Sequence, residues 1–312
     1  MALPVARDEV ERAAEIVAGR LHRTPLLSSR TLGADAFLKA ELLQRTGSFK
    51  PRGVLTKLAS LTSEEKRRGV IASSAGNHAA ALAFGAALEG TTALVVMSRG
   101  ASELKRAAAL AYGAEVDQEA SGPSDLFQRM DELVEETGRV LVHPFDDPLV
   151  LAGQGTVGLE ILDDLEGVDT ILVPCGGGGL FAGIAAAAVP AGVDVVPVEP
   201  EGSRALHAAV EAGKSVPVEV STIADGLTAP FAGVLAVQTC VELGIEPVLV
   251  TEDEIEAGFR FLYERAKLAC EPAGAAAVAA VLAGKAGAGR TVCVVSGGNV
   301  AAATAAAILA SP

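Results

Sequence analysis

The sequence predicts an α/β fold of parallel βαβ units, and three observations carry that expectation. Strand-like apolar runs alternate with longer helical patterns almost from end to end, several of the runs are apolar without interruption, and glycine-rich turns follow directly on them. Uninterrupted apolar runs belong to strands covered by helices on both faces, so the sheets should be buried.

Taken in order, MALPVARDEVERAAEI mixes charges into the apolar spacing of a first helix, with no apolar signal core. The strand-like runs are FLKAELL (37–43), VIASS (70–74), TALVVM (92–97), VLVH (140–143), TILVPC (170–175), VDVVPVE (193–199), PVLV (247–250) and TVCVVS (291–296). The Ala-rich AAATAAAILA (301–310) reads as a closing helix, and no appended regulatory domain is expected after it. No fixed-period repeat or charged linker divides the chain. With 312 residues, half of them hydrophobic, one or two intimately packed domains are expected.

Composition excludes several function classes. The net charge is −14, from 25 Lys and Arg against 39 Asp and Glu, so nucleic acid and anionic membrane are poor partners. No stretch of about 18 uncharged apolar residues offers a membrane span, and a cytoplasmic protein is expected. Cys175, Cys240, Cys270 and Cys293 are widely spaced without a CxxC pair, which argues for buried small hydrophobes and against disulfides or zinc. The histidines lack metal-ligand spacing; only His78 sits in a glycine-rich motif, and His22, His143 and His207 read as surface or structural.

Four segments carry the turn chemistry of an active site: QRTGSFKPRG (44–53), SSAGNHA (73–79), PCGGGGLFAG (174–183) and SGGN (296–299). Ligands of parallel α/β folds bind where strands end and helices begin, so four such places can share one crevice. In the first, Ser48 is the expected N-cap and Pro51 suits the first helical turn. Lys50 then projects from a helix start, where the dipole and partial burial both disfavour an ammonium and free the amine for Schiff-base or base chemistry. Gly176 to Gly179, ahead of the helix-forming LFAGIAAAA, remove side chains where backbone amides must approach an anion, as in a phosphate cup. Gly177 to Ala182 also fit a dinucleotide-binding GxGxxG/A pattern with Glu199 as the ribose acid, which would make the chain a nicotinamide-dependent oxidoreductase. That alternative leaves the other three segments without roles.

Together the segments resemble, in order and over nearly the whole chain, the threonine/serine dehydratase and serine racemase family of fold type II pyridoxal-phosphate enzymes. The matches include HRTPLL (22–27), ELLQRTGSFKPRG (41–53), SSAGNHAAALA (73–83), HPFDDPLVLAGQGT (143–156), VPCGGGGLFAGI (173–184), IADGL (223–227), TEDEI (251–255), EPAGA (271–275) and VVSGGNV (294–300). The resemblance implies a tryptophan synthase β-like fold of two α/β domains, residues 1–47 plus 146–312 forming the large one and 48–145 the small one, with the site in the cleft between them. It implies pyridoxal 5'-phosphate bound through Lys50, with Phe49 beside the ring, Asn77 on the phenolic oxygen, the amides of Gly176, Gly177, Gly178, Gly179 and Leu180 on the phosphate, and Ser296 facing the pyridine nitrogen. Ser74, Gly76, Asn77 and His78 would receive the substrate carboxylate through hydroxyl and backbone N–H groups.

The implied activity is an L-threonine/L-serine ammonia-lyase that eliminates water and yields a 2-oxo acid and ammonia, in a homodimer. A neutral hydroxyl at Ser296 does not force the ring nitrogen to be protonated, which favours loss of a β leaving group. Racemisation, or dehydration of a related substrate such as hydroxyaspartate, is the alternative. Racemases of the family carry a second serine on the face opposite the lysine; here that position is Ala75, which cannot deliver a proton. A pyridoxal-phosphate carrier that binds without turnover is a third reading, against which the complete set around Lys50 argues. Of the family's divalent-metal ligands, Glu199 and the Ser203 carbonyl are kept, but the second acid is Ala205, and no metal is assigned.

Overall fold

The computed structural model describes residues 3–74, 76–100, 103–121 and 123–310. The chain runs α1 (Arg7–Val17), β1 (Leu26–Ser28), β2 (Ala36–Lys39), α2 (Pro51–Ala59), α3 (Ser63–Arg68), β3 (Val70–Ser73), α4 (Asn77–Glu89), β4 (Ala93–Ser98), α5 (Glu103–Ala111), β5 (Glu115–Ala120), α6 (Pro123–Thr137), β6 (Val140–Leu141) and α7 (Pro148–Asp164). It continues with β7 (Thr170–Pro174), α8 (Gly179–Ala188), β8 (Asp194–Pro200), α9 (Ala205–Ala212), α10 (Val234–Leu243), β9 (Val248–Val250), α11 (Glu252–Phe261), α12 (Pro272–Leu282), β10 (Thr291–Val294) and α13 (Ala302–Ala310).

The strands form two sheets, one ordered β1-β2-β10-β7-β8-β9 and the other β5-β4-β3-β6. All pairings are parallel except β1 with β2. Each apolar run expected from the sequence contains a strand, and β3, β4, β7 and β10 are buried almost along their length, as uninterrupted apolar runs require. The larger sheet packs α8 and α1 against one face and α11 and α12 against the other. The smaller sheet packs α4 on one face and α6 on the other.

Helix ends follow from local chemistry. Asp147 caps α7 by accepting from Leu149 N and Val150 N, and Thr62 with Glu65 and Thr251 with Glu254 close capping boxes at α3 and α11. At α2 the expectation fails: Pro51 is the first helical residue as foreseen, but Lys50, with φ −52° and ψ −36°, occupies the cap position. Ser48 is extended, two residues short of it, and its buried hydroxyl has no partner. Thr46 and Gly47 are both left-handed, with φ of 62° and 74°, and this turn carries the chain past the point where a serine could cap.

Strand order builds the site. Because β2, β10 and β7 are neighbours and parallel, their carboxyl ends bring segments 44–50, 296–299 and 174–179 to one edge of the larger sheet. The first two are tied by Phe49 N to Ser296 O (3.2 Å), Gly298 N to Gly47 O (2.9 Å) and an antiparallel bridge between Ser48 and Gly297. The fourth segment, ending β3 and opening α4, reaches the same place from the smaller sheet.

Candidate active site

Lys50 Nζ donates to Pro144 O at 2.9 Å and lies 5.0 Å from the Phe49 ring centre. Burial pushes its amine down from 10.5 to about 8, with the carboxylate of Glu271 pulling it back up. The amine is therefore partly neutral near physiological pH, which a nucleophile or base requires.

The carbonyl that Lys50 meets is held by its own small structure. His143 Nδ1 accepts from Phe145 N and Asp146 N, at 3.3 and 2.9 Å, and its ring meets Phe145 edge-on at 4.7 Å. Burial lowers the His143 pKa, which suits an imidazole acting as an acceptor. Asp146 in turn accepts from Val234 N and Leu235 N at the start of α10. His143 thereby holds the turn that presents the Pro144 carbonyl.

Three of the four glycines that lead from β7 into α8 are required by their surroundings. A Cβ on Gly177 would lie 2.3 Å from the Phe145 ring, one on Gly179 would lie 2.8 Å from Phe145 O, and Gly178 is left-handed with φ 90°. The first amides of α8, starting at Gly179, have no partner inside the helix and face outward beside the positive end of its dipole. A Gly177→Ala chain should lose about 1–3 kcal/mol of stability through overpacking, measured by denaturant unfolding. It should also lose affinity for a phosphate-bearing ligand, because Phe145 must shift the loop.

Asn77 opens α4. Its Nδ2 donates to Glu271 Oε1 at 2.7 Å and its Oδ1 accepts from Asn299 Nδ2 at 2.8 Å. Ser74 Oγ accepts from Gly76 N at 3.2 Å, shaping the turn that presents the first amides of α4. His78 is buried, and its Nε2 bonds Val142 O at 2.8 Å; burial pushes its pKa down to about 3, so the ring is neutral and only its backbone N–H is available to an anion. Ala75, on which the expectation about racemisation rests, lies outside the described residues. Ser296 is buried at the end of β10.

Two residues that sequence reasoning passed over belong to the same group. Glu271, the cap residue of α12, is buried, and burial raises its carboxyl to about 7 against the bonds it receives from Asn77 and from the Asn299 amide. A cavity of about 600 Å³ opens beside it, sharing Thr46, Asn77 and Glu271 with the site and lined further out by small residues of α4, α5, α12 and α13. Both residues stand in motifs, EPAGA and SGGN, whose polar members directly precede or follow buried elements; that is the signal that could have found them.

Glu199 is buried, its carboxyl at the start of α9. Its two oxygens accept from Leu206 N (2.8 Å) and His207 N (2.9 Å), capping α9, and burial raises its carboxyl to about 8. The described residues contain no group of three or more His, Cys, Asp and Glu placed to hold a metal. The four cysteines are buried, as their spacing suggested.

A pyridoxal phosphate fits these residues. The amine with a depressed pKa, the glycine loop at a helix start, and the orphaned buried polar atoms Thr46 Oγ1, Ser48 Oγ and His78 Nδ1 supply, within one group of loops, a nucleophile, an anion cradle and spare polar capacity.

Comparison with known proteins agrees. A family described as pyridoxal-phosphate dependent enzyme matches residues 17–298. The chain is 43% identical over 310 residues to the catabolic L-threonine dehydratase of Escherichia coli (strain K12), covering 96% of this chain and 94% of that one. Among solved structures, maize serine racemase superposes with a TM-score of 0.90 at 35% identity, over 96% of this chain and 95% of that one. A threonine deaminase from T.th. superposes with a TM-score of 0.87 at 39% identity, over 95% of this chain and 99% of that one.

Proposed function

Because this chain belongs to the family of pyridoxal-phosphate dependent enzymes, of fold type II, we propose that it is an L-threonine/L-serine dehydratase, a lyase giving a 2-oxo acid and ammonia. The observation that carries the reading is the half-buried Lys50 amine, brought down to about 8 beside an anion-binding loop and the first turn of α4. Kinship with threonine dehydratases supports the substrate class.

In this reading Lys50 holds the cofactor aldehyde carbon, Phe49 packs at the ring, and the amides of Gly176, Gly177, Gly178, Gly179 and Leu180 hold the phosphate. Ser296 would face the ring nitrogen and Asn77 would meet the phenolic oxygen. Pyridoxal phosphate, once bound, supplies an electron sink for the carbon that loses its proton. The Lys50 amine would take that proton, a task its depressed pKa suits. Ser74 Oγ and the N–H groups of Gly76, Asn77 and His78 hold the substrate carboxylate at the start of α4. Residues 48–145 act as a small domain closing on 1–47 and 146–312, which excludes water from the reacting atoms. The working unit in this reading is a cytoplasmic homodimer, which sedimentation and cell fractionation test.

Dehydration is preferred over racemisation because the position at which racemases of the family carry a second serine is alanine in this sequence, Ala75, and an alanine cannot deliver a proton. Cofactor-loaded protein given L-serine should form 2-oxo acid well in excess of D-serine, and L-threonine should be turned over as well. Predominant D-serine would overturn the preference, and turnover confined to hydroxyaspartate would move the substrate class.

A further inference from the structure

We propose that Glu271 and Asn299 are positioning residues that lock the side-chain amide of Asn77 in one orientation, leaving a single N–H of that amide to meet the phenolic oxygen of the cofactor. The inference rests on the reading of the site given above and adds to it two residues and a reason for their geometry.

The amide's hydrogen-bonding capacity is nearly all accounted for. Asn299 Nδ2 spends one hydrogen on Thr46 O (2.7 Å) and the other on Asn77 Oδ1 (2.8 Å). Asn77 Oδ1 is thereby an acceptor, so its Nδ2 must face Glu271 Oε1, to which it donates at 2.7 Å. Turning the amide over would set Nδ2 against Nδ2 and an oxygen against a carboxyl oxygen, losing two bonds at once. One Nδ2 hydrogen remains.

Close packing fixes the partners themselves. A Cβ on Gly47 would lie 2.5 Å from Asn299 Oδ1, and one on Gly297 would lie 2.5 Å from Glu271 Oε1 and 3.2 Å from Asn77 Nδ2. Glu271 N also donates to Gly297 O at 3.1 Å, and the Asn299 backbone N–H bonds the Glu271 carboxyl. The chain of contacts joins α4, which follows a strand of the smaller sheet, to three parts of the larger-sheet edge: the turn at Thr46, the segment after β10, and the start of α12. Asn77 is a point where parts of the two sheets share a polar network.

Two kinds of variant separate orientation from fold. Asn299 is exposed, so Asn299→Ala leaves the core intact while freeing Asn77 Oδ1; Glu271→Leu removes the acceptor, and Glu271→Gln restores one. Each is loaded with pyridoxal phosphate, and affinity and the absorption bands of the bound cofactor are measured. Asn299→Ala and Glu271→Leu should bind it about tenfold more weakly, as expected for losing one hydrogen bond to an ionised oxygen, with a changed ratio of bands. Glu271→Gln should return both readouts close to wild type. Unchanged affinity and spectra in Asn299→Ala and Glu271→Leu overturn the inference alone, and so does failure of Glu271→Gln to rescue. A wild-type chain that takes up no pyridoxal phosphate overturns the reading of the site and the inference with it.

Discussion

A Lys50→Ala chain should turn over L-threonine about 10⁴-fold more slowly than the wild type, the upper end of what a positioned acid–base group contributes. The nearest lysines in sequence are otherwise engaged and cannot replace it. Lys57 is paired with Asp147 at 2.6 Å, and Lys39 is buried against Glu160 at 2.6 Å. The loss should be mainly chemical, because Lys50 provides no side-chain cap to α2, and the bond it gives up to the Pro144 carbonyl is offset by no longer burying an amine. Circular dichroism and denaturant unfolding should therefore match the wild type.

The same residue gives a pH signature. Pyridoxal phosphate trapped with borohydride should label Lys50, as read by peptide mapping. A lysine amine reacts only when neutral, and burial has lowered this one from 10.5 to about 8. Labelling should accordingly rise as pH passes through about 8 and then level off, whereas an ordinary surface lysine goes on climbing toward its unperturbed value. Label spread over exposed lysines with no plateau, or full turnover by Lys50→Ala, would remove Lys50 from the mechanism.

Most of the fold was legible in the sequence because its strands are buried on both faces, and burial on both faces writes an uninterrupted apolar run. The two strands that escaped notice lie at sheet edges. β1 is three residues long and pairs antiparallel, and β5 reads EVDQEA, a mostly exposed or half-buried strand whose polar side chains leave no apolar run. At the site, the glycines and Lys50 were visible through their local turn chemistry. Ser48 was misassigned as a cap because the left-handed pair Thr46 and Gly47 is a backbone event that a serine three residues before a proline does not announce. Glu271 and Asn299 stood in recognised motifs, yet their roles come from an amide 194 and 222 residues away, which no spacing records.

The Arg52 cluster was hidden in the same way, and removing it should produce the largest loss of stability. Arg52 is fully buried as the second residue of α2, two residues past Lys50. Its guanidinium donates to both oxygens of Glu41 at 2.8 Å each, to Glu160 at 2.7 and 2.9 Å, and to Thr156 Oγ1 at 3.0 Å. Lys39 Nζ donates to Glu160 and to Thr24 O, and Thr24 Oγ1 to Glu41, so two cations face two carboxylates in a closed network. Burial pushes the Glu160 carboxyl up, but Arg52 and Lys39 outweigh it and hold it below its usual range. Deleting Arg52 leaves Glu41 as an unpaired buried charge, for which about 3–5 kcal/mol of destabilisation is expected in Arg52→Ala, by urea unfolding. That is a large share of the roughly 5–15 kcal/mol available to a folded chain.

The pH dependence has a definite sign. A carboxyl whose folded pKa is lowered stabilises the fold above its unfolded value of 4.5 and loses that contribution as pH falls through the folded one, so the wild type should lose this contribution in acid and Arg52→Ala should have less of it to lose. Replacing Arg52, Glu41 and Glu160 together by apolar residues of similar volume separates the cluster's two possible duties, since a buried ion network exchanged for packed hydrocarbon often regains stability. If stability returns while turnover of L-threonine stays low, the guanidinium fork is holding the start of α2, and with it Lys50, against β2 and α7. If both return, the network contributes stability alone, and the position of Lys50 is set by the Pro144 carbonyl and the loop before α2.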